Sequence, residues 1–130
     1  MGLVTVVDRA ASGEQLLSRK LEVSSEPITL RELIRQRIRE EVDEYNREQS
    51  DIFFGLIQPT DTERVLNGYR LKAKRLLSWE NQYAKALQAF EKNGFFVIVD
   101  GEQIEDLDQF IALREASEVR FLKLVPLVGG

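Results

Sequence analysis

The sequence contains no cysteine and no histidine. Without cysteine the chain cannot form disulfides, thiolate metal sites or thiol nucleophiles. Without histidine it lacks the usual general base near neutral pH and the commonest metal ligand. No pair of carboxylates has a spacing that distinguishes it from ordinary surface charge. We therefore predict no catalytic residues, no metal ligands and no enzymatic activity for this chain.

Long apolar runs and an excess of basic residues are also missing. No apolar stretch approaches the ~20 residues that cross a bilayer, and the N-terminus lacks the features of a signal peptide. The 22 acidic and 18 basic residues leave a formal charge of -4, which argues against a general nucleic-acid binder. We expect a cytoplasmic protein that binds neither membrane nor nucleic acid. Its 130 residues predict a single domain.

The first third of the chain predicts two strands and a helix. The β-branched run from Leu3 to Val7 and the alternating segment from Leu16 to Val23 predict a hairpin. Thr29 and Glu32 form a capping box that opens a helix with apolar residues at helical spacing. The other face of this helix mixes both charges, which is typical of a solvated face. That face carries Arg31, Arg35, Arg37, Arg39, Glu40, Glu41 and Glu44.

The middle of the chain, from Ser50 to Asn93, predicts a helical insertion. Apolar residues around Gly55 suggest a connector packed on the core, and Thr60 with Glu63 forms a second capping box. A helical pattern then continues to the end of the segment. A break at Gly68 and a break at Ser78 remain equally open as points that divide it into two helices.

The last third predicts two further strands. Phe95 to Val99 is the strongest strand candidate, and the Asp100-Gly101 turn follows it. Apolar residues from Leu107 to Leu113 suggest a short helical turn, and Val119 to Val125 is the predicted final strand.

One side of the final strand carries Arg120, Leu122 and Leu124. A terminal strand with apolar residues on both faces is either buried on both or presents a binding patch. Two alternatives are equally open for these residues, a surface that docks a partner and a part of the core.

The chain ends in an apolar segment, 125–130, that closes on two glycines. Glycine has no side chain to obstruct an enzyme, so such a tail can enter a narrow channel. We predict a flexible diglycine tail in which Leu127, Val128, Gly129 and Gly130 form the part that is activated, with the reacting carboxylate on Gly130. Pro126 lacks an N–H group and would help to keep the tail out of the sheet.

Three segments resemble ubiquitin-like proteins of the β-grasp fold. The helix entry from Pro27 to Ile34 looks like that of the molybdopterin synthase small subunit and the thiamine-pathway sulfur carrier. The turn from Val97 to Glu102 is similar to their Val-Asn-Gly-Glu turn. The stretch from Glu118 to Gly130 resembles their last strand and diglycine tail. Ser50 to Asn93 has no counterpart, and Glu115-Ala116-Ser117 stands where the family usually has Asp-Gly-Asp.

The resemblance implies an α+β protein with a ubiquitin-like β-grasp fold, in which a mixed sheet packs on one main helix and carries an inserted helical segment. It also implies that a ubiquitin-activating-type enzyme adenylates the Gly130 carboxylate with its own ATP, so that this chain binds no cofactor. The product would be a protein modifier or a thiocarboxylate sulfur carrier. Further partners would be a conjugating enzyme, an isopeptidase or a sulfur-accepting synthase subunit. The alternative is a β-grasp interaction or assembly module that is not conjugated.

Overall fold

The computed structural model describes residues 2–129. The chain begins with strands β1 (Gly2–Ala10), β2 (Gln15–Val23) and β3 (Ile28–Thr29), followed by helix α1 (Leu30–Glu48). Three strands come next: β4 (Ile52–Phe53), β5 (Thr62–Val65) and β6 (Gly68–Leu71). Helix α2 (Trp79–Glu91) leads to β7 (Phe95–Val99), β8 (Glu102–Ile104), β9 (Phe110–Ile111) and β10 (Glu118–Lys123). The predicted α+β class with a mixed sheet is confirmed.

The main sheet has the strand order β2-β1-β10-β7-β8. Strands β1 and β10 are parallel, with Val6 opposite Val119, and the other neighbours are antiparallel. The first and last strands of the chain therefore lie side by side within the sheet. The predicted hairpin and the Phe95–Val99 strand are present, whereas the last strand ends at Lys123, two residues before the predicted limit.

Helix α1 begins as the capping box predicts. The hydroxyl of Thr29 accepts a hydrogen bond from the Glu32 N–H at 3.1 Å, which satisfies one free donor of the first turn. The apolar stripe is buried. The prediction of a fully solvated polar face is wrong, however, because Arg37 and Glu41 are each no more than 2% exposed.

The segment from Ser50 to Asn93 is not purely helical. Its first part forms a three-stranded antiparallel sheet in the order β4-β6-β5. The predicted capping box at Thr60 is wrong, because Glu63 lies within β5. Asn67 adopts a positive φ of 62° in the turn to β6, and this conformation suits a tight hairpin turn. Of the two proposed breaks, Ser78 is the one that caps a helix, accepting from the Asn81 N–H at 3.2 Å.

The predicted helical turn between Leu107 and Leu113 is also wrong. Strand β9 pairs with β3, with Ile28 opposite Ile111. The carbonyl of Leu107 accepts a hydrogen bond from the Arg31 N–H at 2.8 Å. The backbone of this segment therefore hydrogen-bonds to β3 and to the start of α1, and it forms no local helix.

Residues 50–93, which were predicted to be an insertion and are called the insertion below, share one hydrophobic core with the main sheet. Side chains from the sheet and α1 form a single cluster with buried residues of the insertion. The members from the insertion are Phe53, Leu56, Ile57, Leu71, Leu77 and Ala86. Burying an aliphatic or aromatic side chain contributes about 1.5–3 kcal/mol, so these residues add substantially to the stability of the whole unit.

Candidate functional site

The outer face of the main sheet carries an apolar patch around β10. Alternation along β10 directs Val119 and Phe121 into the core, where both are fully buried, and directs Arg120 and Leu122 the other way. Leu122 is half-buried and Leu124 is 36% exposed, and neither belongs to the core cluster.

Neighbouring strands extend this face. Leu122 is paired with Phe96 of β7, and Arg120 is paired with Ile98. Paired residues of adjacent strands lie on the same face of a sheet, and both β7 side chains are half-buried. We call Phe96, Ile98, Leu122 and Leu124 the outer patch. Sequence reasoning missed the two β7 residues, because an apolar run such as Phe95–Val99 does not reveal which face is covered.

Arg120 stands beside the outer patch with its guanidinium exposed. Its Nε donates a 2.5 Å hydrogen bond to Oε1 of Glu118 on the same strand. Exposed ion pairs of this kind contribute about 0–1 kcal/mol, since water solvates both partners well. A carboxylate on an incoming protein could therefore compete for Arg120 at little cost.

The described part of the tail, which was predicted to be flexible from 125 onward, lies against the body of the protein. The side chain of Leu127 is only 5% exposed. The Gln58 N–H donates to the Leu127 carbonyl at 2.7 Å, and the Gly129 N–H donates to the Gln58 carbonyl at 2.9 Å. Val128 is paired in parallel with Gln58 and remains 62% exposed. Gly130 lies outside the described residues.

Helix α2 contacts the tail from the other side. We call Gln58 together with Gln82 and Lys85 of α2 the seat of the tail. The Gln82 amide donates to the Gly129 carbonyl at 3.5 Å, and the carbon chain of Lys85 lies beside Gly129. Gly129 has a φ of 140°, which residues with a Cβ rarely adopt. A Cβ at this position would also approach the Lys85 chain to 2.8 Å. The docked conformation therefore selects glycine at 129.

A buried charge network lies beneath the end of the sheet. Arg37 of α1 donates two hydrogen bonds, of 2.5 and 2.6 Å, to the Asp8 carboxylate of β1, and a third of 3.0 Å to Glu41. The other Glu41 oxygen accepts from the Leu56 N–H at 3.4 Å. The network therefore joins the sheet, the helix and the insertion.

Burial and ion pairing act in opposite directions on the pKa values of Arg37 and Glu41. It disfavours the charged form of Arg37, but the attraction of Asp8 and Glu41 outweighs it and raises the pKa of Arg37. For Glu41, burial raises the pKa more than Arg37 lowers it. Burial likewise lowers the pKa of Lys123, where β10 leads into the tail. Because the guanidinium is fully engaged with its two carboxylates, we interpret the network as structural.

No metal site or membrane span is found in the described part of the chain. Within residues 2–129, no group of three or more acidic side chains is arranged to hold a metal ion. Neither α1 nor α2 has the length and apolar character that crossing a bilayer requires. What the described residues do offer is an apolar sheet face on β10, the strand that leads into the tail.

No protein-family model, curated protein or solved structure matches this chain.

Proposed function

We propose that this chain is a ubiquitin-like β-grasp protein whose Gly130 carboxylate is adenylated by a ubiquitin-activating-type enzyme. The strand order supports the fold. Two N-terminal strands lead into α1, and the last strand returns parallel to the first, between β1 and β7. The mixed sheet and the main helix then form one core, as the β-grasp assignment requires.

The observation that carries the proposal is the place where β10 ends. This strand lies inside the sheet with the outer patch on its exposed side, and the diglycine segment follows it within a few residues. An enzyme that docks on the patch therefore has the tail within reach once the tail leaves its contacts with Gln58, since six extended residues span ~20 Å. Leu122, Leu124 and Arg120 are the proposed docking residues, together with Phe96 and Ile98.

The chemistry resides in the partner. A carboxylate is a poor electrophile, so the activating enzyme joins it to AMP from ATP and releases pyrophosphate. Sulfide or a thiol then attacks the acyl-adenylate and displaces AMP. Sulfide yields a thiocarboxylate sulfur carrier. A thiol yields a thioester, and a target amine that attacks this thioester releases the thiol and forms the amide bond of a conjugate. This chain serves as substrate and carrier, while the enzyme binds the ATP.

The test is intact-mass analysis after incubation with ATP, sulfide and the cognate activating enzyme. We expect the mass to increase by the difference between sulfur and oxygen, or by a whole target protein if conjugation occurs. A variant that lacks Gly129 and Gly130 is the control and should not react. An unmodified full-length chain beside a demonstrably active enzyme would contradict the proposal.

A second candidate function is an interaction or assembly module that is never activated. The burial of Leu127 favours it, because a docked tail is not a free handle. In that case the outer patch would still bind a protein, and deletion of the two glycines would leave that binding unchanged. Binding that survives the deletion, without any ATP-dependent modification of the full chain, would identify this alternative.

A further inference from the structure

The tail of this chain occupies a seat within the inserted segment, formed by Gln58 on one side and by residues of α2 on the other. Gln58 holds the tail backbone on both sides of Val128 through the bonds to Leu127 and Gly129. Both bonds use the backbone of Gln58, as in a short parallel ladder. The backbone needed for transfer is therefore engaged within the chain itself.

We propose that this seat is an intramolecular binding site for the tail, and that it keeps the diglycine from an adenylating enzyme until the tail is released. The inference rests on the proposed function. It assigns a role to the insertion that the resemblance does not supply, namely control over when the tail can react.

The reach of the tail explains why docking blocks the reaction. If the whole segment from Val125 is free, it spans ~20 Å, whereas an anchor at Leu127 leaves only three residues, or about 10 Å. Gly129 is itself bonded to Gln58 and Gln82, which shortens the free part further. A docked tail therefore cannot extend into a narrow channel.

Leu127 is the apolar anchor of the seat. Its side chain is buried beside Gly94, where an added Cβ would come within 3.0 Å of Leu127 Cδ2 and 3.2 Å of the Ala89 carbonyl. Glycine at position 94 thus leaves room for the anchor. A substitution there can loosen the tail without changing the tail's own sequence.

The first test measures docking without any enzyme. Amide hydrogen exchange is compared between the native chain and Gly94→Ala, with Gly2→Ala as the control because its Cβ makes only ordinary contacts, at 3.7 Å. We expect the Gln58 and Gly129 amides to be protected in the native chain and to exchange at least about tenfold faster in Gly94→Ala. Amides of the β1–β10 pairing should not change. Native amides that exchange at unfolded-peptide rates would overturn the proposal.

The second test locks the tail in its seat. Because the native chain has no cysteine, the pair Gln58→Cys and Val128→Cys can form only one disulfide. We expect the oxidised form to be adenylated at least about tenfold more slowly than its reduced form, with Val128→Cys alone insensitive to reductant.

Each outcome of the lock experiment decides one question. Equal rates for the oxidised and reduced forms would overturn the inhibitory role of the seat. A native chain that does not react would contradict the proposed function and leave docking to the exchange test. Failure of the pair to oxidise would itself count against a docked tail.

Discussion

Replacement of Arg37 by methionine should destabilise the protein strongly. Arg37 is 1% exposed and is the cation between Asp8 and Glu41, which are each 2% exposed. Its removal leaves two buried carboxylates without their partner, and breaking a buried pair in this way costs about 3–5 kcal/mol. Methionine keeps an apolar contact with Phe121, over whose ring the guanidinium carbon lies at 4.4 Å. The expected loss is a large part of the ~5–15 kcal/mol that stabilises an ordinary domain.

The loss of unfolding free energy in Arg37→Met should depend on pH. Without the guanidinium, nothing from Arg37 opposes the burial that raises the folded-state pKa of Glu41 above its unfolded value. A carboxyl group shifted in this direction binds its proton more tightly in the folded protein. Its contribution to stability is therefore present below the unfolded pKa and is lost as the pH rises through the folded pKa. The penalty should be largest near neutral pH and should shrink toward pH ~4.

The assay is urea unfolding of the native chain and the variant at neutral pH and near pH ~4.5. Arg39→Met is the matched control on the same helix, because Arg39 is exposed and pairs with Asp43 at 3.6 Å. This control should lose no more than about 1 kcal/mol. The reasoning would be refuted if Arg37→Met lost no more unfolding free energy than the Arg39→Met control. It would also be refuted if the loss in Arg37→Met did not change with pH.

Four further predictions follow from the same structure. Deletion of Gly129–Gly130 should abolish adenylation and leave folding intact, which intact mass and circular dichroism would check; unchanged adenylation would contradict it. Leu122→Asp should weaken partner binding with little change in melting temperature, since this side chain lies outside the core cluster; unfolding would instead show that it belongs to the core. Replacing residues 50–93 with a Gly/Ser linker should give a molten or unfolded chain by near-ultraviolet dichroism, because the insertion supplies part of the core. Lys123→Met should stabilise the protein near pH 7, because burial disfavours the charged amine and lowers the folded-state pKa of Lys123. The gain should diminish toward pH ~10, because the native protein regains stability as that amine loses its proton. A gain that does not vary with pH in urea titrations would count against the last prediction.

Local patterns were sufficient where short-range forces determine the structure. The cap at Thr29 and the apolar stripe behind it predicted α1, and the β-branched runs predicted β1 and β7. The same capping pattern at Thr60 failed. There, β5 and β6 form a hairpin whose turn contains Asn67 at positive φ, and cross-strand pairing outweighs a local helical preference.

The candidate site was predicted in part. Leu122 and Leu124 were identified as a docking face or as core, and the structure places both outside the core cluster. Phe96 and Ile98 were not identified, because only strand pairing shows that β7 lies beside β10. Arg37 and Glu41 were assigned to a solvated face. Helical spacing does not reveal that the Asp8 carboxylate pairs with Arg37, or that the Leu56 N–H donates a hydrogen bond to Glu41. Both partners come from distant segments of the chain.

The sequence by itself determined the composition of the tail, the periodicity of α1 and the β-branched strands of the sheet, because these depend on neighbouring residues and on each residue's conformational preferences. The tertiary structure decided whether the tail is free. Gln58 and Leu127 lie far apart in the chain, and only the packing of the insertion on the rest of the fold brings the Gln58 backbone within hydrogen-bonding distance of the tail. Hydrogen bonds and burial between distant segments require the folded core, and no local pattern of residues encodes them.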